Sequence, residues 1–105
     1  MNNQKEKILS RIKDKIREID LKADIILYGS RARGDEHSES DWDILILIDG
    51  KADTEAEKVF RHKLFDLELE VGEAFSVFVY NKQDWSSKHW MTPFYKNISV
   101  EGVIL

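Results

Sequence analysis

The sequence predicts one layered αβ domain, an α+β fold in which a mixed β-sheet is flanked by helices in the order α-β-(turn)-β-α-β-α. Three observations carry this. Two charged segments repeat apolar residues at helical spacing, and three short segments between and after them are rich in isoleucine, leucine or aromatic residues and bounded by Gly or Asp. The chain of 105 residues matches one domain with one core, residues 1–105, and a domain of this size buries roughly 65% of its unfolded surface.

Ile8, Leu9, Ile12, Ile16 and Ile19 place one apolar stripe on an otherwise charged segment, which predicts an amphipathic helix from Lys5 to Ile19. Ala23 to Tyr28 then reads as a first strand. Gly29 stops it, and Ser30 to Arg33 fits a short helical turn with Ser30 as N-cap and Gly34 as terminator. Asp35 to Ser40 is a polar loop. Asp43 to Asp49 follows as a strand with no polar face, as expected of a central strand covered on both sides.

Thr54 and Glu57 resemble a capping box, and Val59, Phe60, Leu64 and Leu67 continue a helical stripe until Gly72. Ala74 to Tyr80 is a third strand by its β-branched and aromatic content. Asp84 can cap a short turn carrying Trp85, and Thr92-Pro93 begins a last helix that ends at Gly102. Trp90, Phe94 and Ile98 recur every four residues, which places them on one face, read as a core or lid packed on the sheet in preference to a base-stacking platform. The apolar tail Val103-Ile104-Leu105 either docks on the sheet or meets another subunit.

Composition narrows the function. The net charge of −4 argues against attraction to a nucleic-acid backbone, so a small molecule or a protein is the expected partner. There is no cysteine, which removes disulfides and thiolate metal sites and suits a reducing compartment. The charged start, Met1 to Lys7, reads as neither a signal peptide nor a membrane span, and a cytoplasmic protein is expected.

Chemistry concentrates between Ile25 and Asp49. Side chains two apart in a strand share a face, so Asp41 and Asp43 present two carboxylates together while Trp42 turns away. Such a pair repels itself unless a cation intervenes, and magnesium suits it because that ion binds through one or two carboxylates plus substrate phosphates. Gly29 permits close backbone approach, and Ser30 offers a hydroxyl and an N–H to an anion. Arg31 and Arg33 add positive charge, at least one of them paired with Asp35 or Glu36. His37 and His62 read as ordinary polar positions, and Glu68, Glu70 and Glu73 as a solvated helix end.

Gly29-Ser30, then ten residues, then Asp41-x-Asp43 leading into an apolar strand resembles the signature of the polymerase-β-like nucleotidyltransferase superfamily, in its minimal (MNT) form. The string GSRARGDEHSESDWDILILI carries the likeness, and PFYKNISVEGVIL is similar to the end of such domains. The resemblance implies transfer of a nucleoside monophosphate, AMP from ATP, to an acceptor hydroxyl. Gly29 and Ser30 would hold the β and γ phosphates, with Arg31 and Arg33 beside them, and Asp41 and Asp43 would ligate Mg2+, with Ser30, Asp41 and Asp43 as the catalytic set. It further implies a partner that completes the site, a small helical HEPN toxin modified on a tyrosine, and thus a hetero-oligomer if not a homo-oligomer. One position departs from the pattern: the family places a third carboxylate on the following strand, and here the matching residue is Ser76. Two ions would require that ligand from elsewhere, with Glu73 the nearby candidate. The alternative reading is a weakly catalytic or non-catalytic nucleotide-binding antitoxin that acts by contact.

Overall fold

The computed structural model describes residues 3–105; Met1 and Asn2, which open the charged start, lie outside the described residues. The elements are α1 (Asn3–Ile19), β1 (Asp24–Tyr28), α2 (Ser30–Arg33), β2 (Trp42–Ile48), α3 (Thr54–Val71), β3 (Phe75–Asn81), α4 (Lys82–Lys88), α5 (Pro93–Glu101) and β4 (Val103–Ile104). The strands form one mixed sheet in the order β3-β2-β1-β4. β1 runs antiparallel to both β2 and β4, whereas β2 and β3 are parallel and joined through α3, the crossover that a parallel pair requires.

The run of five apolar residues in β2 explains the layering. Ile44, Ile46 and Ile48 point to one face, where they join Ile25, Leu27, Val77 and Val79 beneath Ile12 and Ile16 of α1 and Leu64 and Leu67 of α3. Leu45 and Leu47 point to the other, under Trp85 of α4 and Ile98 of α5. Ile44, Leu45 and Ile46 are completely buried, as befits a strand covered on both sides. Burying each such side chain contributes about 1.5–3 kcal/mol, so β2 is the fixed beam on which the carboxylates before and within it are mounted.

Several local readings need correction. Asp53, not Thr54, caps α3, its side chain accepting from Ala56 N; Thr54 is the first helical residue, and aspartate one position earlier supplies the same acceptor. Asn81 caps α4 by accepting from the Asp84 N–H, so Asp84 lies inside the helix and does not begin it. Gly29 stands at the N-cap of α2, with no side-chain cap bond, in place of Ser30. Thr92 and Pro93 open α5 as expected. Phe94 and Ile98 pack over the second core cluster, but Trp90, 53% exposed, precedes the helix and leaves that face. Val59 is likewise half exposed, off the buried stripe of α3.

The apolar tail docks on the sheet. β4 pairs with β1, Ile26 opposite Ile104 and Leu27 opposite Val103, and Leu105 N–H reaches Ile25 O at 2.9 Å. Gly102 makes this possible, since a Cβ there would lie 2.6 Å from Ile98 O and 2.8 Å from Ile26 Cγ2. No helix among the described residues is long and apolar enough to cross a membrane.

Candidate functional site

β1, α2 and β2 meet at one end of the sheet. Gly29 leaves β1 at φ 76°, which carries the chain directly across the carboxylate of Asp43. A Cβ built on Gly29 would lie 2.1 Å from Asp43 Oδ2, so only glycine allows the turn and that carboxylate to coexist. Ser30, partly buried, begins α2, and its carbonyl accepts from the N–H groups of Gly34 (2.9 Å) and Asp35 (3.1 Å), closing the turn.

Asp43 is paired across β1 with Tyr28 and across β3 with Ser76. The position at which a third carboxylate was expected is therefore the immediate parallel neighbour of Asp43, and it carries a hydroxyl. Asp41 is exposed and precedes β2, so the two aspartates do not both belong to the strand; its charge nevertheless acts on Asp43. The Asp43 carboxyl is pushed above its ordinary value, first by burial, then by the negative charges of Asp41 and Glu101, with Arg33 opposing. Tyr28 is also raised, by burial and by Asp43, which keeps its phenol neutral and able to donate.

Among the described residues no group of three His, Cys, Asp or Glu side chains forms a ready metal cage. The donor set fits magnesium in a narrower way: two carboxylates, one of them pushed above its ordinary value by burial and by the charge of the other, suit an ion that draws its remaining ligands from water and substrate phosphates.

The two arginines divide. Arg33 remains at the turn, bonded to Asp35 Oδ2 (3.1 Å) and Glu101 Oε2 (3.0 Å), and these carboxylates raise its pKa, the Asp35 hydrogen bond most. Arg31 points the other way. It is 8% exposed, donates from Nε and Nη2 to Ser40 O at 3.0 and 2.8 Å, pairs with Glu73 at 3.2 Å and lies 4.5 Å from the Trp42 ring centroid. Its work is to fasten the loop before Asp41. Glu73 also accepts from the Trp42 indole, on the side to which Trp42 turns and Asp43 does not, so it is committed elsewhere than the Ser76 position.

The rest of the acidic run is mixed, with Glu68 engaged by the backbone and Glu70 solvated as expected. Glu68 accepts from Phe75 N–H at 2.6 Å, and Glu70 pairs with Arg11. His37 is a loop organiser, its Nδ1 accepting from Glu39 N–H. His62 lines a groove of about 550 Å³ between α3 and β3 that also reaches Arg61, Phe65, Phe75, Ser76 and Asp41.

Sequence reasoning missed Glu101. It accepts the Gly29 N–H at 2.5 Å from 72 residues away in sequence. A signal existed: a carboxylate in the last turn of a helix faces the negative end of the helix dipole, and α5 has no basic residue there, so Glu101 needs compensation from outside its helix.

No curated protein sequence matches the chain. A solved structure of a mutant of the toxin–antitoxin MntA–HpeT superposes with a TM-score of 0.62 at 20% identity, covering 90% of this chain and 69% of that one. A second, described as a toxin–antitoxin with AMP-PNP, gives 0.56 at 22% identity and covers 88% of this chain and 70% of that one. At such identities they show the shared fold. The family model for the nucleotidyltransferase domain matches residues 9–102, nearly the whole chain from α1 to Gly102, and on that match this chain belongs to the nucleotidyltransferase domain family.

Proposed function

We propose that the protein is a magnesium-dependent nucleotidyltransferase that moves a nucleoside monophosphate, AMP from ATP, onto a hydroxyl of a partner protein. The observation that carries this reading is the contact between Gly29 and Asp43: the glycine turn and the carboxylate are packed against each other with no room for a β-carbon, so phosphates held by the one would lie beside a cation held by the other. In this reading Gly29, Ser30 and Arg33 bind the terminal phosphates, Arg31 braces the turn and its loop from behind, and Asp41 and Asp43 hold Mg2+. The ion, when bound, neutralises charge on the phosphates.

The chain's own residues then set the geometry of an in-line displacement. The acceptor oxygen forms a bond to the α-phosphorus as the bond to the α–β bridging oxygen breaks, and pyrophosphate leaves. The acceptor's proton passes to water, because Ser76 supplies no base where a carboxylate would stand. Tyr28, neutral and beside Asp43, flanks the carboxylate without competing for the cation. The groove along α3 and β3 gives an incoming group access to Asp41 and Ser76.

Support for a protein acceptor comes from the two structural neighbours, both described as toxin–antitoxin assemblies and one solved with AMP-PNP. A small helical protein of the HEPN type is the partner we favour, with cytoplasmic action. Ser76 supports a second reading, in which the chain binds nucleotide and silences the partner by contact alone. Incubation with α-labelled ATP and Mg2+, with and without a helical HEPN-type protein as acceptor, separates the two. Label on the partner with the wild type but not with Asp43→Ala supports transfer; inhibition of the partner without label under any divalent metal supports contact.

A further inference from the structure

Two donors from separate parts of the turn, the Gly29 N–H at 2.5 Å and Arg33 Nη1 at 3.0 Å, converge on one oxygen, Oε2 of Glu101. A main-chain amide and a guanidinium on one anionic oxygen are also what a phosphate oxygen would receive at this position. The Glu101 side chain is 17% exposed, so the contact is sheltered and not a passing surface pair.

The backbone beneath Glu101 is fixed. Gly102 N–H bonds Ile98 O at 2.7 Å, Leu105 N–H bonds Ile25 O, and Gly102 is packed on Ile26. Exchange of the anion at the turn therefore needs only rotation of the Glu101 side chain, with α5 and β4 remaining in place. Two anions cannot share these donors, and like charge at that distance repels.

We propose that Glu101 is a positioning residue that holds the Gly29 N–H and Arg33 in their anion-receiving arrangement and yields both to the terminal phosphates of an incoming triphosphate. The proposal rests on the nucleotidyltransferase reading of this turn and adds to it a built-in competitor. Part of the intrinsic phosphate affinity is spent in displacing Glu101, so the apparent affinity is lower than the donors alone would give.

The test measures binding without transfer. Calorimetric titration of the full chain with magnesium tripolyphosphate and with a non-hydrolysable ATP analogue is compared among wild type, Glu101→Gln and Glu101→Ala, with adenosine as a phosphate-free control. Loss of the competing charge is expected to tighten tripolyphosphate binding about threefold to tenfold while adenosine is unaffected. A residue that merely stabilised the fold would weaken binding when changed, so the sign decides. Unchanged or weaker binding in a folded Glu101→Gln protein overturns the proposal. Should the variants fail to fold, nuclear magnetic resonance of the wild type decides: tripolyphosphate must shift both the Gly29 amide and the Glu101 carboxyl carbon, and an unmoved Glu101 carbon overturns it. Wild type that binds with no gain in Glu101→Gln refutes Glu101 alone, whereas no binding by either protein refutes the nucleotide reading as well.

Discussion

Gly29 and Asp43 share one volume: the space that a β-carbon on residue 29 would fill is occupied by Oδ2 of Asp43, 2.1 Å from its ideal position. Turn and carboxylate are thus a single unit, although fourteen positions separate them in sequence. Gly34 supplies the natural control, because it also has positive φ (86°) but nothing within 4 Å of its would-be Cβ.

Gly29→Ala and Gly34→Ala should therefore behave differently. Gly34→Ala incurs about 1–2 kcal/mol for a left-handed backbone bearing a β-carbon, and Gly29→Ala incurs at least that, because φ 76° with ψ −162° is a region that essentially only glycine occupies. Only Gly29→Ala also drives Asp43 from its place, so it alone should lose Mg2+-dependent triphosphate binding, by at least about tenfold on the scale of a misplaced ligand. Thermal melts and titrations of both proteins check this; equal binding by the two would refute the shared-volume account.

Asp43 predicts an inverted pH dependence. Its carboxyl is raised in the fold by burial, Asp41 and Glu101, so the folded state binds the proton more readily than the unfolded chain. Stability attached to this group is present while it is protonated and declines as pH rises from the ordinary carboxylate value of 3.8 through the raised one. Asp43→Asn should accordingly be more stable than wild type at neutral pH in the absence of metal, by about 0.5 kcal/mol after allowance for solvent screening, or roughly 2–4 °C in Tm. The gain should vanish below about pH 3.8, where the wild-type carboxyl is protonated as well. Melts across pH in the presence of a chelator measure it.

The contrast between these residues also shows how far the sequence could be read. β2 was legible because five consecutive apolar residues admit few placements other than a central strand, and the likeness of Gly29-Ser30 and Asp41-x-Asp43 to a known signature pointed to the family to which the chain belongs. Caps were legible only to within a residue, since Asp53 and Thr54 both offer an acceptor oxygen and the backbone decides between them. The opposite fates of Arg31 and Arg33 were not legible: two residues apart on a single helical turn they face different directions, and no periodicity says which direction is the site. Glu101 was hidden because its partner is 72 residues away and the link is one carboxylate.

Arg31 should prove a structural residue with a measurable cost. Arg31→Lys keeps the charge but loses the paired bonds to Ser40 O and the planar contact with Trp42, and it leaves Glu73 less well matched. A loss of about 1–2 kcal/mol is expected, seen as a fall of roughly 5–10 °C in Tm. Triphosphate affinity of the folded variant should stay within about twofold of wild type, because Arg31 points away from the turn. A selective loss of affinity with unchanged Tm would instead make Arg31 a phosphate ligand.

Ser76→Asp tests what the departure from the family pattern means. Ser76 is the parallel neighbour of Asp43 and partly buried, so an aspartate there joins a site in which Asp43 is already pushed up by burial and by two negative charges. Without metal the added charge should destabilise the fold by about 0.5–1 kcal/mol, and saturating Mg2+ should more than restore it, since an ion bound only to the folded state stabilises it in proportion to its occupancy. If the missing carboxylate is what limits transfer, labelling of the partner should rise by at least about tenfold, the scale of a positioned proton acceptor or metal ligand. A Mg2+-dependent gain in Tm without faster labelling would mean that the third ligand is not limiting, and that the rate is set by how the acceptor reaches the groove beside Asp41.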